Sequence, residues 1–379
     1  MNFYELRNKI DNHKKFSLVK KMEKSPVVNN AYPGQFNLSF TESKWLDKFG
    51  NYLDINKDFF FSTIQPVIRY NDFKNQILTN KTIHKHLALF DMADLIGAGV
   101  FVDKKLGNDF TKLEIHEFIK FFSELGISLD RIYVSNFAGA KVSEATKGKY
   151  IFDKFIPPFE FGKNQWIENG VPSENIIQDK SRDTFLALNI YGRPTPWGYR
   201  NEIYIKSSNG ELVDVATLEY LIWHPILKDA EIIDLSDYEH FVGLNVIGVE
   251  RLCMIVNDFQ NISQCEHIYP LLLALEKVSP NYNYSSAVTA VESVRVLHRI
   301  IADIGKSNNL SKTRREKFND YLEALHIHLN ILNISDKMGV LEKLLELNAK
   351  INPHYPELQN SSNNTEKTVE TYFEVKFKN

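Results

Sequence analysis

Cysteine is nearly missing from this chain: Cys253 and Cys265 are the only two in 379 residues. That count excludes a disulfide framework, and with no His or Cys cluster beside them a zinc site is not expected. Long hydrophobic runs are missing as well. The longest, in LEYLIWHPIL and YPLLLALE, fall far short of the roughly eighteen apolar residues of a membrane span and fit buried elements of a globular domain. The opening stretch, MNFYELRNKIDNHKKFSLVKK, is charged throughout and lacks an apolar core of signal-peptide length, so the cytoplasm is the default expectation. Positive charge is not in excess either. With 45 Lys and Arg against 48 Asp and Glu, the formal net charge is −3. This balance argues against a protein whose affinity comes mainly from nucleic-acid phosphates. No internal repeat is visible.

What remains is an ordinary soluble composition, 43% apolar and 25% charged, over a length that suits two domains. Residues 3–24 have the pattern of an amphipathic helix, or two short ones, ending before Ser25-Pro26. Val27-Val28 opens a short strand, followed by the turn residues Asn29-Asn30 and Pro33-Gly34. LEIHEFIKFFSEL (113–125) repeats its apolar positions at helical spacing and stops at Gly126, and ISLDRIYVSNF (127–137) leads into a strand. Residues 139–182 are irregular and predict an insertion or a helix with long loops. FLALNIYG (185–192) and NEIYIKSS (201–208) form a strand pair joined by RPTPWGYR. Asn209-Gly210 is a hairpin turn, and ELVDVATLEYLIW continues the sheet. Phe241 to Ile255 begins as a strand and turns helical near Val249. From Gln264 the chain changes character: 269–278, 287–304, 312–331 and 337–349 are all helical in pattern. The predicted units are therefore 1–264, a helical domain at 265–358, and a tail at 359–379 whose VETYFEVKF alternates and adds one strand.

The most informative stretch is QPVIRYNDFKNQILTNKTIHKHLALFDM (65–92). It predicts two strands, one ending at Ile68-Arg69 and the other running from His86 to Met92, joined by a polar loop at 71–83. An arginine closing one strand and a phenylalanine on its partner can hold a nucleotide, the guanidinium forked onto a phosphate and the ring under the base. An ordinary hairpin with a surface Arg69 and a core Phe90 fits the same residues. Far downstream, Val246-Ile-Gly-Val-Glu-Arg251 places Gly248, Glu250 and Arg251 at a strand-to-helix junction. There Gly248 allows close approach of a ligand, Arg251 can face a phosphate, and Glu250 can hold a metal that bridges phosphates.

The order of these pieces resembles class II aminoacyl-tRNA synthetases, and in detail the N-terminal half of the alanyl-tRNA synthetase family up to about Leu358. NAYPGQF (30–36) resembles that family's N-A-G-M-x-Q-F. QPVIRYNDFKN resembles Q-P-C-I-R-x-N-D-x-x-N, and KHLALFDM resembles R-H-x-T-x-F-E-M. NEIYI sits where the family has S-E-I, and IGVERL resembles M-G-L-E-R. AVESVRVLHRIIAD (290–303) resembles I-A-D-H-I-R-A…I-A-D, and HYPEL (354–358) resembles Y-P-E-L. The fold this implies is α+β: a class II synthetase-type antiparallel sheet flanked by helices, followed by an all-α domain. The resemblance implies ATP and Mg²⁺ as cofactors. It makes Arg69 the α-phosphate ligand that stabilises the transition state and Arg251 the γ-phosphate ligand. Phe90 becomes the adenine platform, with Asn71, Asp72, His86 and Gly248 around the nucleotide and Asp91 and Glu250 near the metal. Glu202, Tyr220, Trp223, Leu244 and Asn245 fall at the positions that line the amino-acid pocket. In-line displacement at phosphorus needs positioning and charge neutralisation more than a general base, so the lack of a catalytic His or Cys is no objection.

Two departures bear on substrate and acceptor. Leu244 stands where the family has the Asp that binds the α-ammonium, and Tyr220 and Trp223 replace an Asn and a Phe. An unpaired ammonium is costly, so either another acid (Asp214, Glu219, Asp237 or Glu239) takes over or the substrate differs from alanine. The family's basic tRNA-facing helix is represented by TRREKFNDYLEALHIHLNIL (313–332), where Arg314, Arg315 and Lys317 keep some charge but Asp320, Glu323 and neutral residues follow. The sequence supports three functions. The first is a ligase that forms an acyl-adenylate from an amino acid or small carboxylate and passes it to a carrier protein, amine or peptide. The second is a truncated alanyl-tRNA synthetase that still charges tRNA. The third is a non-catalytic paralogue that binds and regulates. No membrane partner is expected, and both monomer and homodimer are open.

Overall fold

The computed structural model describes residues 1–29, 34–37, 58–79, 85–181, 183–187, 189–190, 193–305 and 309–377. Of the stretches above, residues 30–33, 80–84, 182, 188 and 191–192 therefore lie outside the described residues. The chain opens with α1 (Phe3–Asp11), whose Asn2 and Glu5 form a reciprocal capping box and whose Phe3, Leu6 and Ile10 face the core. Strands then alternate with a few helices: β1 (Lys20–Lys21), β2 (Phe59–Ser62), β3 (Ile64–Ile68), α2 (Tyr70–Thr79), β4 (Leu89–Ala93), β5 (Ala98–Phe101), α3 (Lys104–Glu124), β6 (Ile132–Phe137), α4 (Glu160–Glu168), β7 (Ile176–Asp179) and β8 (Phe185–Leu186). Three long strands follow, β9 (Trp197–Lys206), β10 (Leu212–Lys228) and β11 (Glu231–Gly248). The remainder is helical: α5 (Val249–Val256), α6 (Tyr269–Val278), α7 (Tyr284–Ile304), α8 (Lys312–Ile331), α9 (Lys337–Lys350) and α10 (Ser362–Phe377). This segregation is that of an α+β protein.

The eleven strands form one sheet in the order β1-β2-β5-β11-β10-β9-β6-β7, with β8 added on β9 and the β3–β4 hairpin joined through β4 to β11. The pairs β1–β2 and β6–β7 are parallel and the others antiparallel. Along β9 exposure alternates from Tyr199 to Lys206, with Tyr199, Asn201, Ile203 and Ile205 buried and Arg200, Glu202, Tyr204 and Lys206 on the more open side. The apolar core packs the closed face against α3, and it continues without a break into α6–α9. The boundary expected near 264 is thus a change in secondary structure and not in core.

Several elements depart from the sequence expectation. The polar stretch after Arg69 is helix α2 up to Thr79, because Phe73 is buried against Tyr321 of α8, ring centroids 4.2 Å apart, and the Tyr70 hydroxyl bonds Asp320. The tail is also a helix and not a strand. Thr365 and Val369 are buried, and Phe373 and Phe377 pack on His326, so every fourth residue forms one stripe. Helix α3 starts nine residues before the expected Leu113, capped by the Asp103 side chain and with Gly107 under Phe241, where no Cβ would fit. The first helix ends at Asp11, and Val27-Val28 joins no strand. Within 139–182 the irregular segment contains a two-strand ribbon (Ala140–Lys141 with Phe155–Ile156), α4 and β7. The turn into helix at Val249 and the helices of the last third fall where their patterns place them.

Candidate nucleotide site

Strand register assigns the candidate residues to faces. Val67 pairs with Phe90 and Gln65 with Met92 in the hairpin; Met92 pairs with Gly248; Val246 pairs with Thr217, and Thr217 with Glu202. Directly paired residues of antiparallel strands share a face, and so do residues two apart. Arg69, Phe90, Gly248, Val246, Leu244, Thr217, Glu219, Glu202 and Arg200 therefore project from one side of the sheet. A register shift between Ile203 and Tyr204 pairs Tyr204 with Asp214, which brings Asp214 onto that side too. Most of these residues are half-buried, as expected of the floor of an open concave surface.

At the hairpin end of this surface the charges converge on Phe90. The guanidinium carbons of Arg69 and Arg251 lie 5.5 and 5.7 Å from its ring centroid. Phe90 is 5% exposed and belongs to the hydrophobic core, with these two groups near its ring. Arg251, in the first turn of α5, donates from Nη1 to the Asp214 carbonyl (3.0 Å) and carboxylate (2.5 Å). Among the described residues the Arg69 guanidinium makes no hydrogen bond or ion pair. Burial, and then the neighbouring Arg251, push its pKa below the ordinary arginine range. An unpaired guanidinium beside a second one is electrostatically unfavourable until an anion arrives. His86 borders the pair, its pKa lowered by burial and then by Arg251. Asp72, in the first turn of α2, adds negative charge toward Arg69, while Asn71 is exposed beside it. Gly248 has φ −80°, and an added Cβ would meet nothing nearer than the Arg251 stem at 3.8 Å. Its own packing does not require glycine, so the missing side chain leaves room on the open face.

Further along the face, Arg200 pairs with Glu202 at 2.7 Å, and the Thr217 hydroxyl donates to Glu202. Burial raises the Glu202 pKa, and Arg200 only partly opposes it. Leu244 is buried and directly opposite Glu219, which itself stands opposite Arg200. Of the acids that could replace the one missing at 244, Glu219 is thus the one in register with it.

Three residues assigned to the substrate pocket lie elsewhere. Tyr220 pairs with Tyr199 and points into the closed face, where Phe159 lies 5.0 Å from its ring and the fully buried Glu114 faces it. Burial raises the Glu114 pKa well above the carboxylate range. Trp223, beyond a register shift in β10, packs on Tyr199 and Phe185. Asn245 spends its amide on the backbone, accepting the Leu95 N–H at 2.7 Å and donating to the Gly97 carbonyl at 2.5 Å. All three are core residues: strand alternation turns Tyr220 and Asn245 away from Leu244 and Glu219, and the register shift between Leu221 and Trp223 turns Trp223 away.

The assignment of Asp91 and Glu250 to a metal is also corrected. Asp91 neighbours Phe90 in β4 and so points to the opposite face, where Arg7 binds it at 2.9 Å and Tyr355 donates a hydroxyl to it. Burial alone would raise its pKa, but Arg7 and then His354 hold it below the ordinary range. Both Glu250 oxygens accept the Asp91 N–H at 3.0 Å, and His267 Nε2 lies 3.1 Å from one of them. Neither carboxylate is presented to the arginine pair. No cluster of three metal-ligating side chains occurs among the described residues. These two residues therefore do not fit Mg²⁺ beside the arginine pair.

The sequence reading missed Arg200 and Thr217, although the period-two run Arg200, Glu202, Tyr204 was a usable signal. It also left charge on α8 that the fold consumes. Arg314 donates to the carbonyls of Gln35 (2.7 Å) and Asn29, and Lys317 to that of Gly34 (2.9 Å). No helix among the described residues is long and apolar enough to cross a membrane. No protein-family model matches this chain, and no curated protein matches it.

Proposed function

We propose that this protein is an ATP-dependent ligase of the class II aminoacyl-tRNA synthetase type that activates an amino acid or related small carboxylate as its acyl-adenylate. The observation that carries this reading is the pair of guanidiniums, one of them in no ion pair among the described residues, gathered over a phenylalanine on the open face of a largely antiparallel sheet. A nucleoside triphosphate satisfies each part. Its base takes the place of a guanidinium on the Phe90 ring, its phosphates pair with Arg69 and Arg251, and Gly248 admits them close to the backbone. The substrate carboxylate attacks the α-phosphorus; a C–O–P bond forms, the α–β bridging P–O bond breaks, and pyrophosphate leaves with the electron pair. Arg69 offsets the charge that grows on the α-phosphoryl oxygens.

An amino group on the substrate would meet Glu219, directly opposite Leu244, or Glu202 on the same face, while Leu244 and Val246 supply an apolar wall. The acyl acceptor is proposed to be a carrier-protein thiol, an amine or a peptide. tRNA is disfavoured because Arg314 and Lys317 are committed to the segment around Gly34. ATP–pyrophosphate exchange, screened over the amino acids and simple carboxylates, tests the proposal. One substrate should drive exchange well above background. Background exchange throughout, with ATP still bound tightly, would replace it by the reading of a non-catalytic nucleotide-binding paralogue.

A further inference from the structure

Strand β11 ends at Gly248, opposite Met92, so among the described residues β4 has no strand partner on that side from Asp91 back toward Ala88. Two buried carboxylates stand where the missing strand would be. Glu292 of α7, 1% exposed, accepts the N–H of Ala88 at 2.7 Å and that of Leu89 at 3.4 Å through Oε2. Glu250 of α5, also 1% exposed, accepts the N–H of Asp91. Each has its own partner behind it, Arg295 for Glu292 and His267 for Glu250. Phe90 is the residue between the two grips. A buried N–H without an acceptor is costly, so these carboxylates are what allow an unpaired strand edge to lie inside the protein.

We infer that Glu292 and Glu250 are positioning residues of the nucleotide site. They fix the backbone on both sides of Phe90 and so hold its ring where the base must land. This rests on Phe90 being the base platform. The consequence is that the helical third of the chain builds the nucleotide site from behind, whatever else it contacts. Neither carboxylate touches the nucleotide; both act through the Leu89–Asp91 backbone, and misplacement of a binding group by about 1 Å is enough to cost affinity and rate.

The test compares wild type with Glu292→Ala, Glu292→Gln and, as a control that loses an ion pair on the surface, Glu323→Gln, whose partner is Lys376. ATP affinity is read by calorimetry, the KM for ATP and for the carboxylate by exchange kinetics, and amide hydrogen exchange at Leu89–Asp91 by mass spectrometry. Glu292→Ala should weaken ATP about ten-fold or more while the carboxylate KM holds, and should speed amide exchange at Leu89–Asp91. Glu292→Gln, which keeps one acceptor oxygen, should fall between, and Glu323→Gln should match wild type. If Glu292→Ala does not fold, Glu292→Gln carries the comparison. Unchanged ATP affinity and unchanged Leu89–Asp91 exchange in a folded Glu292 variant would overturn the clamp, as would equal weakening of both substrates. Absence of ATP binding in wild type would instead overturn the site reading beneath it.

Discussion

Arg69 and Arg251 sit beside the same ring, yet among the described residues only Arg251 has a carboxylate in ion-pair contact, and the asymmetry separates their contributions. Removing Arg69 takes away a charge that repels Arg251 and pairs with nothing among the described residues. Arg69→Ala should therefore leave the thermal midpoint unchanged or slightly higher, while ATP affinity drops about 10- to 100-fold, the value of one charge-assisted contact of roughly 1.5–3 kcal/mol. Calorimetry and thermal unfolding on the same samples check both halves. Loss of stability with ATP binding intact would mark Arg69 as structural. At this scale the sequence singled out Arg69, Phe90, Gly248 and Arg251, which the structure brings together on one face. It failed at Tyr220, Trp223 and Asn245. Which side of a strand a residue occupies depends on pairing parity and on shifts such as those in β9 and β10, and no local pattern announces these.

Among the elements, α7 is held to α9 and to the turn at Leu358 through one imidazole. His298 Nε2 lies 2.9 Å from the Leu358 carbonyl and Nδ1 lies 3.0 Å from the Asn348 amide nitrogen. The neutral ring satisfies both contacts, Nε2 donating and Nδ1 accepting, whereas a second proton on Nδ1 would face another donor. Burial, with Arg299 adding to it, pushes the pKa down to about 4. In the unfolded chain the same group takes up its proton near pH 6.5, so acid favours unfolding. The contribution is intact above about pH 6.5 and is lost progressively as the pH falls to about 4. Between pH 7 and 4.5 wild type should lose roughly 2–3 kcal/mol more stability than His298→Gln, measured by urea unfolding at each pH. A constant difference between the two would show that His298 does not titrate in this window. The helices this residue joins were legible because their apolar periodicity is long and unbroken. Helix α2 and the helical tail were not, because each rests on tertiary contacts: Phe73 on Tyr321, and Phe373 and Phe377 on His326.

On the scale of the whole molecule, the charge balance and the fold act in the same direction on nucleic acid. The formal charge is −3, and two of the four cations that begin α8, Arg314 and Lys317, are turned inward to the carbonyls of Asn29, Gly34 and Gln35. A gel-shift titration at about 150 mM salt should show no complex with tRNA at protein concentrations up to about 10 µM. A complex whose affinity falls steeply with salt would restore the tRNA reading. The division into sheet-rich and helical parts was plain in the sequence, but the shared core was not. The residues that join the parts, Arg7, Asp91, Glu250, His267, Glu292 and Tyr355, are scattered charged and polar positions with no common spacing.

That scattering has a consequence for how the protein is made. The acceptor for the Ala88 N–H lies 204 residues further along the chain, and the hydroxyl that caps Asp91 lies 264 residues further. When β4 leaves the ribosome its edge has nothing to bind, and it waits until α7 and then Tyr355 have been synthesised. Contacts this distant in sequence form late and leave strand edges exposed in the meantime. Over that interval the β4 edge is open to pairing with other chains, and the backbone around Phe90 reaches its final position only after the last third has emerged.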